Sequence, residues 1–280
     1  MKLNSKYLIC GSTSKGNQEK YKAGNVWYKV DMLGYEALSE AVISCILKDN
    51  GVDCIDYKIE TIQRNSQTKI ASVSEHFLKE DEILVTVYRM IRLFDFKQKE
   101  FDRFSIEKRI HYMVNIVKTY KGLDDYVILE YFCRLLLIDS IFLNEDRHLS
   151  NISFVYNSAT DSWRPAPIFD NGASLLSDIE KDYPLELSID SAIRRVKAKP
   201  FSTDFKKQVE AINKIFPIEN PIKFIDLTKI RAIVEDSPYE AEIKNRIIKV
   251  LMAQATKHNI EITNIFSQTN KFTMNTLSFW

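Results

Sequence analysis

Glycine is scarce in this sequence: seven in 280 residues, where an average composition holds about 7%. So little glycine excludes a collagen-like repeat or a flexible linker and makes the position of each one informative. Three of them, Gly11, Gly16 and Gly24, fall in one short stretch near the start. Cysteine is limited to Cys10, Cys45, Cys54 and Cys133, with no C-x-x-C pair and no Cys/His ligand spacing, so a zinc site is not expected. All four lie in apolar contexts, which suits a reducing cytosol better than a disulfide scaffold. Charge of either sign is not in excess. A formal net charge of +1 gives no electrostatic case for general nucleic-acid binding. A long uncharged apolar run is missing too. The most apolar stretch, 125–143, is interrupted by Glu130, Arg134 and Asp139, which argues against a membrane span. Nothing resembling a signal peptide, an internal repeat or a low-complexity tract is apparent, and a cytoplasmic protein is expected.

What is present is concentrated at Asp146-Arg147-His148-Leu149-Ser150-Asn151 and Phe169-Asp170-Asn171-Gly172. Asp146 is a carboxylate able to accept a proton from an incoming hydroxyl. Asn151 is an amide five positions later, and Asp170 is a second carboxylate before a glycine. Phosphoryl transfer from a nucleotide needs these groups, and protein-kinase catalytic loops space base and metal-binding Asn in the same way. Between them, 152–156 alternates polar and apolar, 157–162 is rich in turn formers, and 163–169 is extended with Pro165 and Pro167. That pattern predicts a hairpin, which returns Asp170 to the neighbourhood of Asn151. Two oxygen ligands there suit Mg²⁺.

Asp-Arg-His-Leu-Ser-Asn-Ile resembles the catalytic loop of the HipA-like and phosphatidylinositol-kinase-like serine/threonine kinases. The second motif departs from Asp-Phe-Gly, since Asn171 replaces the phenylalanine, which puts in doubt any switch built on a flipping Phe. The resemblance implies an α+β, bilobal protein-kinase-like fold, with a small antiparallel-sheet N-lobe over 1–78 and a mainly helical C-lobe over 79–280. It also implies an ATP- and Mg²⁺-dependent kinase acting on an unknown protein substrate. A small-molecule or lipid kinase, or a nucleotide-binding module without turnover, are the alternatives. The N-terminal module that precedes the kinase core in longer HipA proteins is not expected here. A regulatory or antitoxin-type partner is therefore left open.

The first 78 residues contain elements suited to nucleotide binding. An apolar strand, Leu8-Ile9-Cys10, runs into a Gly-bearing turn and on to Val26-Trp27-Tyr28-Lys29-Val30. A turn of that kind can fold its N–H groups over phosphates. Thr13 or Ser14 through Gly16, Gln18 and Lys20 resembles the S-x-x-G-x-Q-E-K loop of the same kinases, so Gly11, Ser12, Thr13, Ser14, Gly16, Gln18 and Lys20 are expected near ATP. Lys29 occupies the strand position of a phosphate-clamping lysine. A helix is predicted from Gly34 to Leu47, where Glu36 and Glu40 share a face. Spacing does not choose between them as the partner of Lys29, whereas the resemblance favours Glu40. Chain order puts the adenine hinge at Ser74, Glu75, His76 and Phe77. The resemblance further implies autophosphorylation of Ser12 or Ser14, which would place a phosphate beside the triphosphate.

Downstream, helical spacing predicts helices over 82–93, 107–120 and 125–143. Ser237-Pro238-Tyr239-Glu240 reads as a capping box opening a last helix to about His258. His148 is expected to brace its loop through hydrogen bonds. Arg194, Arg195, Lys197 and Lys199 form the one local basic cluster, either a solvated face or a docking site for a phosphate or an acidic partner.

Overall fold

A computed structural model describes residues 18–64, 66–94, 96–120 and 122–264, together with the backbone of Leu8–Ile9. Its first unit is an antiparallel five-stranded sheet in the order β1-β2-β3-β5-β4. These strands are β1 (Leu8–Ile9), β2 (Lys20–Ala23), β3 (Val26–Val30), β4 (Lys58–Arg64) and β5 (Gln67–Glu75). β-Branched and aromatic residues alternate along β3 and β5, so one face buries Tyr21, Tyr28, Val30, Ile62, Ala71 and Val73 as a small core of its own. Lys20 is the first residue of β2 rather than part of the preceding loop, and it stands directly opposite Lys29 on β3.

Helix α1 (Glu36–Asp49) packs against β4 and β5, but its apolar residues join the main core with the downstream helices. Its start is fixed by backbone contact. Gly34 pairs with Asp178 in an isolated bridge, and a Cβ at Gly34 would lie 2.1 Å from the Ser177 carbonyl oxygen. Only glycine permits that approach.

The chain leaves the first sheet after Glu75 and enters a second, three-stranded antiparallel sheet of β6 (Glu82–Thr86), β7 (Ser153–Asn157) and β8 (Ser162–Pro165). The helix expected over 82–93 is therefore a strand followed by one short helix, α2 (Val87–Ile91). The apolar spacing fits both periods. Ile83, Val85 and Thr86 are β-branched and find hydrogen-bonding partners on β7, which decides for the strand. Ile83 and Tyr88, placed on the buried face by the helical reading, are 56% and 47% exposed. Thr86 then caps α2 by accepting from the Arg89 N–H.

The larger core is helical. It comprises α3 (Gln98–Phe101), α4 (Ile106–Lys118), α5 (Asp125–Phe142), α6 (Ile189–Arg195), α7 (Phe205–Ile215), α8 (Leu227–Asp236) and α9 (Ala241–Lys257). A parallel pair, β9 (Phe224–Asp226) and β10 (Glu261–Thr263), closes the chain's return. Helix α5 starts on an Asp124 cap and is buried along most of its length, as its all-round apolarity requires. It ends at Leu143 in the left-handed region and delivers the chain directly to Asp146.

The capping box expected at Ser237 does not form. Ser237 instead turns its hydroxyl back onto the Val234 carbonyl at the end of α8, and α9 begins at Ala241. Tyr239 takes the segment inward, where it is buried with its hydroxyl donating to Asp31. No helix among the described residues is long and apolar enough to cross a membrane.

Candidate active site

Lys29 projects from β3 to where three elements meet. Its ammonium lies 3.0 Å from Glu40 Oε1 on α1, 2.7 Å from Asp170 Oδ1 and 3.4 Å from the Tyr57 hydroxyl. Burial works against charge on Lys29, but Asp170 and then Glu40 outweigh it and hold its pKa well above the usual lysine value. Burial would likewise raise the Asp170 pKa. Lys29 first and Lys20 next reverse this and hold the carboxyl below the ordinary range. Lys20 is itself pushed down, by burial first, with Asp170 attracting its charge and Lys29 repelling it. Two lysines directly across a ladder repel each other, so the acidic pair is what allows both to face this point.

The choice between the two glutamates follows from backbone needs. Glu36 accepts from the Met32, Leu33 and Gly34 N–H groups and so caps the chain's entry to α1. Glu40, one turn on, is left for Lys29, and its second oxygen accepts the Asn171 N–H at 2.9 Å. Gly172 lets this segment lie against α1, since a Cβ there would meet Glu36 Cβ at 3.2 Å. Asp170 has φ 61°, an uncommon conformation for a non-glycine residue and one found at strained functional positions.

Asp146 and Asn151 occupy the other wall. The Asn151 side-chain amide donates to the Asp146 carbonyl at 3.1 Å, and Asn144 Oδ1 accepts the Asp146 N–H at 3.0 Å. Asp146, Asn151 and Asp170 line one cleft together with Gln18, Leu33 and Gly172. The hairpin of β7 and β8 thus brings the two motifs together.

The main side-chain brace of this loop is Arg147, while His148 contributes through its backbone, its N–H donating to the Asp146 carbonyl and its carbonyl accepting the Asn151 N–H. Arg147 is completely buried. Its guanidinium makes a bidentate pair with Asp139 of α5, donates to the carbonyls of Asn151 and Phe169, and donates to Asn171 Oδ1 at 2.7 Å. Burial opposes its charge, the Asp139 carboxylate outweighs that, and the guanidinium pKa is raised. Asn171, standing where a phenylalanine might, is thereby locked between Arg147 and Glu40. The His148 imidazole approaches Asp146 Oδ2 at 3.7 Å.

Lys199, which the sequence placed merely in a basic run, lies 2.8 Å from Asp146 Oδ1. No spacing signals this contact across 53 residues. Arg147 did leave a signal in Asp139, an acid set in the buried run from Leu135 to Phe142 of α5, because such an acid needs a buried cation. Of the expected hinge residues, Ser74 and Glu75 end β5, paired to Trp27 and Val26. The His76 N–H is committed to the Asn25 carbonyl, and its Nδ1 accepts from Trp27 Nε1. Gly11, Ser12, Thr13, Ser14 and Gly16 lie outside the described residues.

An antiparallel sheet whose lysine meets a helix glutamate and an aspartate from the helical part of the chain is the arrangement that protein-kinase-like folds use. No family model matches the sequence. In sequence the chain is similar to the serine/threonine-protein kinase CtkA of Helicobacter pylori strain J99, 23% identical over 154 residues, 48% of this chain and 46% of that protein. It thus spans about half the length of that curated relative. Its fold is similar to the crystal structure of a Helicobacter pylori proinflammatory kinase CtkA, with TM-score 0.63 and 20% identity over 91% of this chain and 94% of that one. It is also similar to HipA in the Shewanella oneidensis MR-1 complex of HipA, HipB and operator DNA, with TM-score 0.50 and 12% identity over 91% and 63% of the two chains. The α+β fold of this chain is thus similar to the folds of CtkA and HipA.

Replacing Lys29 by methionine leaves Glu40 and Asp170 without their shared cation. In the parent, the lowered Asp170 pKa adds stability above the ordinary carboxylate range, and this is lost as pH falls through the depressed value. In Lys29→Met the two buried carboxylates face each other without that cation, and Asp170 loses the main charge that held its pKa down, so protonation there stabilises the fold. The melting temperature of the variant is therefore expected to trail the parent most at pH 7 and to close the gap toward about pH 5. Thermal unfolding across that range checks it. A constant gap would mean that Lys29 does not neutralise the pair.

Proposed function

We propose that this chain is an ATP- and Mg²⁺-dependent phosphotransferase that phosphorylates serine or threonine in a protein. The observation that carries the reading is the single ammonium of Lys29 held at once by Glu40 and Asp170. In kinases a strand lysine tied to a helix glutamate is poised to grip nucleotide phosphates. Lys20 beside it adds a second cation for a polyphosphate.

Asp146 accepts the proton of the acceptor hydroxyl, and Lys199 and Asn144 fix its orientation. Asn151 and Asp170 would hold magnesium. Both offer hard oxygen donors, and the Asn151 amide nitrogen is already committed to the Asp146 carbonyl, which leaves the amide oxygen. Magnesium, when bound, supplies neutralisation of phosphate charge. The adenine edge would meet the chain at Ser74 to Phe77. The His76 N–H is spent on Asn25, so the remaining groups of that segment would make the contact. A cytoplasmic setting accords with the free thiols of Cys45, Cys54 and Cys133.

Transfer from radiolabelled ATP by the purified protein, alone and with a cell lysate, followed by identification of the labelled residues, tests the reading. Label on serine or threonine supports it. Label only on lipid or small molecules moves the assignment to those kinases, and none under any condition leaves a binding module.

Ser12 or Ser14 is the proposed autophosphorylation site. A phosphoserine adds about −1.5 to −2 charge beside the triphosphate and would lower ATP affinity. Mass spectrometry after incubation with MgATP is expected to find phosphate on residues 12–14 of the parent and none in Asp146→Asn. An unmodified loop in an active parent would end the idea.

A further inference from the structure

A cavity of about 850 Å³ outside the cleft lies beside the Asp146 loop on the helical lobe. Its walls bring together Lys181, Arg194, Arg195, Lys197, Lys206 and Lys257, from four separate stretches of chain. A run of basic residues at the end of α6 could be explained by the helix dipole alone. Convergence of Lys181, Lys206 and Lys257 on the same groove is not explained that way. Among the described residues, Lys181, Arg195, Lys197 and Lys257 have no carboxylate partner within ion-pair distance.

The groove's own acids are engaged elsewhere. Glu145 accepts from the Tyr183 hydroxyl at 2.5 Å, and Asp204 caps α7 through the Lys206 and Lys207 N–H groups. Glu145 and Asp182 cluster with Asp178, their oxygens within 4.8 Å of one another, so this negative charge is gathered in one place. Position matters as much as charge. Leu143 and Glu145 line the groove and lead directly into Asp146, while Lys197 is two residues from Lys199, whose ammonium touches Asp146. A chain lying in the groove therefore arrives at the acceptor site.

We infer that this groove docks an acidic segment of the protein substrate and so selects hydroxyls that have glutamate or aspartate nearby in sequence. The inference rests on the kinase reading and names the substrate class of that site. A single-stranded nucleic acid is the weaker occupant. It needs exposed rings for stacking, and the groove's Tyr183 and Phe205 are buried at 3% and 8% exposure.

The test uses the full chain without nucleotide and reads fluorescence anisotropy of a labelled twelve-residue peptide carrying one serine flanked by glutamates. The same peptide with glutamines and a labelled single-stranded RNA serve as comparisons. The acidic peptide is expected to bind on the order of tenfold more tightly than its glutamine counterpart, with an advantage that shrinks as salt rises. Combining Arg194→Glu, Arg195→Glu and Lys197→Glu should abolish that advantage while leaving phosphorylation of the glutamine peptide unchanged. Lys181→Ala with Lys257→Ala, on different elements, should weaken it in the same direction and guards against a folding defect in the first variant. Equal binding of the two peptides, no effect of either set of substitutions, or tighter binding of RNA would overturn the inference. Failure of the kinase reading looks different: acidic peptide binds as expected, but no peptide accepts phosphate.

Discussion

Arg147→Ala is expected to lose about 3–5 kcal/mol of stability, the usual cost of removing one partner from a buried ion pair. For a chain of this size that corresponds to a fall in melting temperature of roughly 6–20 °C. Neither Arg147 nor Asp139 has any solvent exposure, so the orphaned Asp139 carboxylate has no water to turn to. The loss extends beyond the pair. The same guanidinium satisfies the carbonyls of Asn151 and Phe169 and the side chain of Asn171, which belong to the turn after Asp146 and to the segment around Asp170. Pairing Asp139→Leu with Arg147→Met should recover part of the stability, because an apolar pair removes the uncompensated charge but leaves those oxygens without a donor. Thermal unfolding of the three variants checks it. An unchanged melting temperature in Arg147→Ala would show that the loop is held some other way.

Asp146→Asn is expected to lower phosphotransfer by about 10²–10⁴-fold, the range that a positioned general base contributes. The substitution keeps the shape of the side chain and its backbone bonds to Asn144 and Asn151. It removes the proton-accepting carboxylate, with its approach to His148 and its ion pair to Lys199, whose side chain is 46% exposed. The lysine end of the pair is half exposed and can be solvated when its partner is neutralised, so the melting temperature should move by no more than a degree or two, roughly. Activity lost together with folded protein would assign Asp146 a structural role. Activity retained would remove it from the reaction.

The parts of the site that were legible in the sequence are those set by short-range spacing. Asp146 and Asn151 lie on one turn, and a hairpin with clear turn formers carries Asp170 back to them. Lys29 was legible from strand alternation, whereas spacing did not separate Glu40, which the resemblance favours, from Glu36; the three backbone N–H groups capped by Glu36 give the physical reason. Lys199 was not legible, because its contact depends on how the chain returns after α6, and no local pattern encodes that path. In the fold, the sheet-plus-helices architecture was implied by the resemblance and the helices within 107–120 and 125–143 followed from periodicity, but the structure of 82–93 did not. Its apolar residues satisfy a 3.6-residue and a 2-residue repeat alike, and the availability of β7 as a partner decided the matter. The segment at Ser237 failed for a related reason. A capping motif is worth about 1 kcal/mol, less than burying Tyr239 against Asp31 gains.

The central claim is that Lys29, Glu40 and Asp170 form the phosphate- and metal-holding side of a phosphotransfer site. Incorporation of radiolabel from γ-labelled ATP tests it most directly, with parent and Asp170→Asn measured side by side, each with magnesium and with EDTA. The fold should survive Asp170→Asn because Glu40 still neutralises Lys29. The account predicts labelling by the parent that requires magnesium, and none by Asp170→Asn at equal folded concentration. Equal labelling by the two proteins, or labelling by the parent that persists in EDTA, would contradict it.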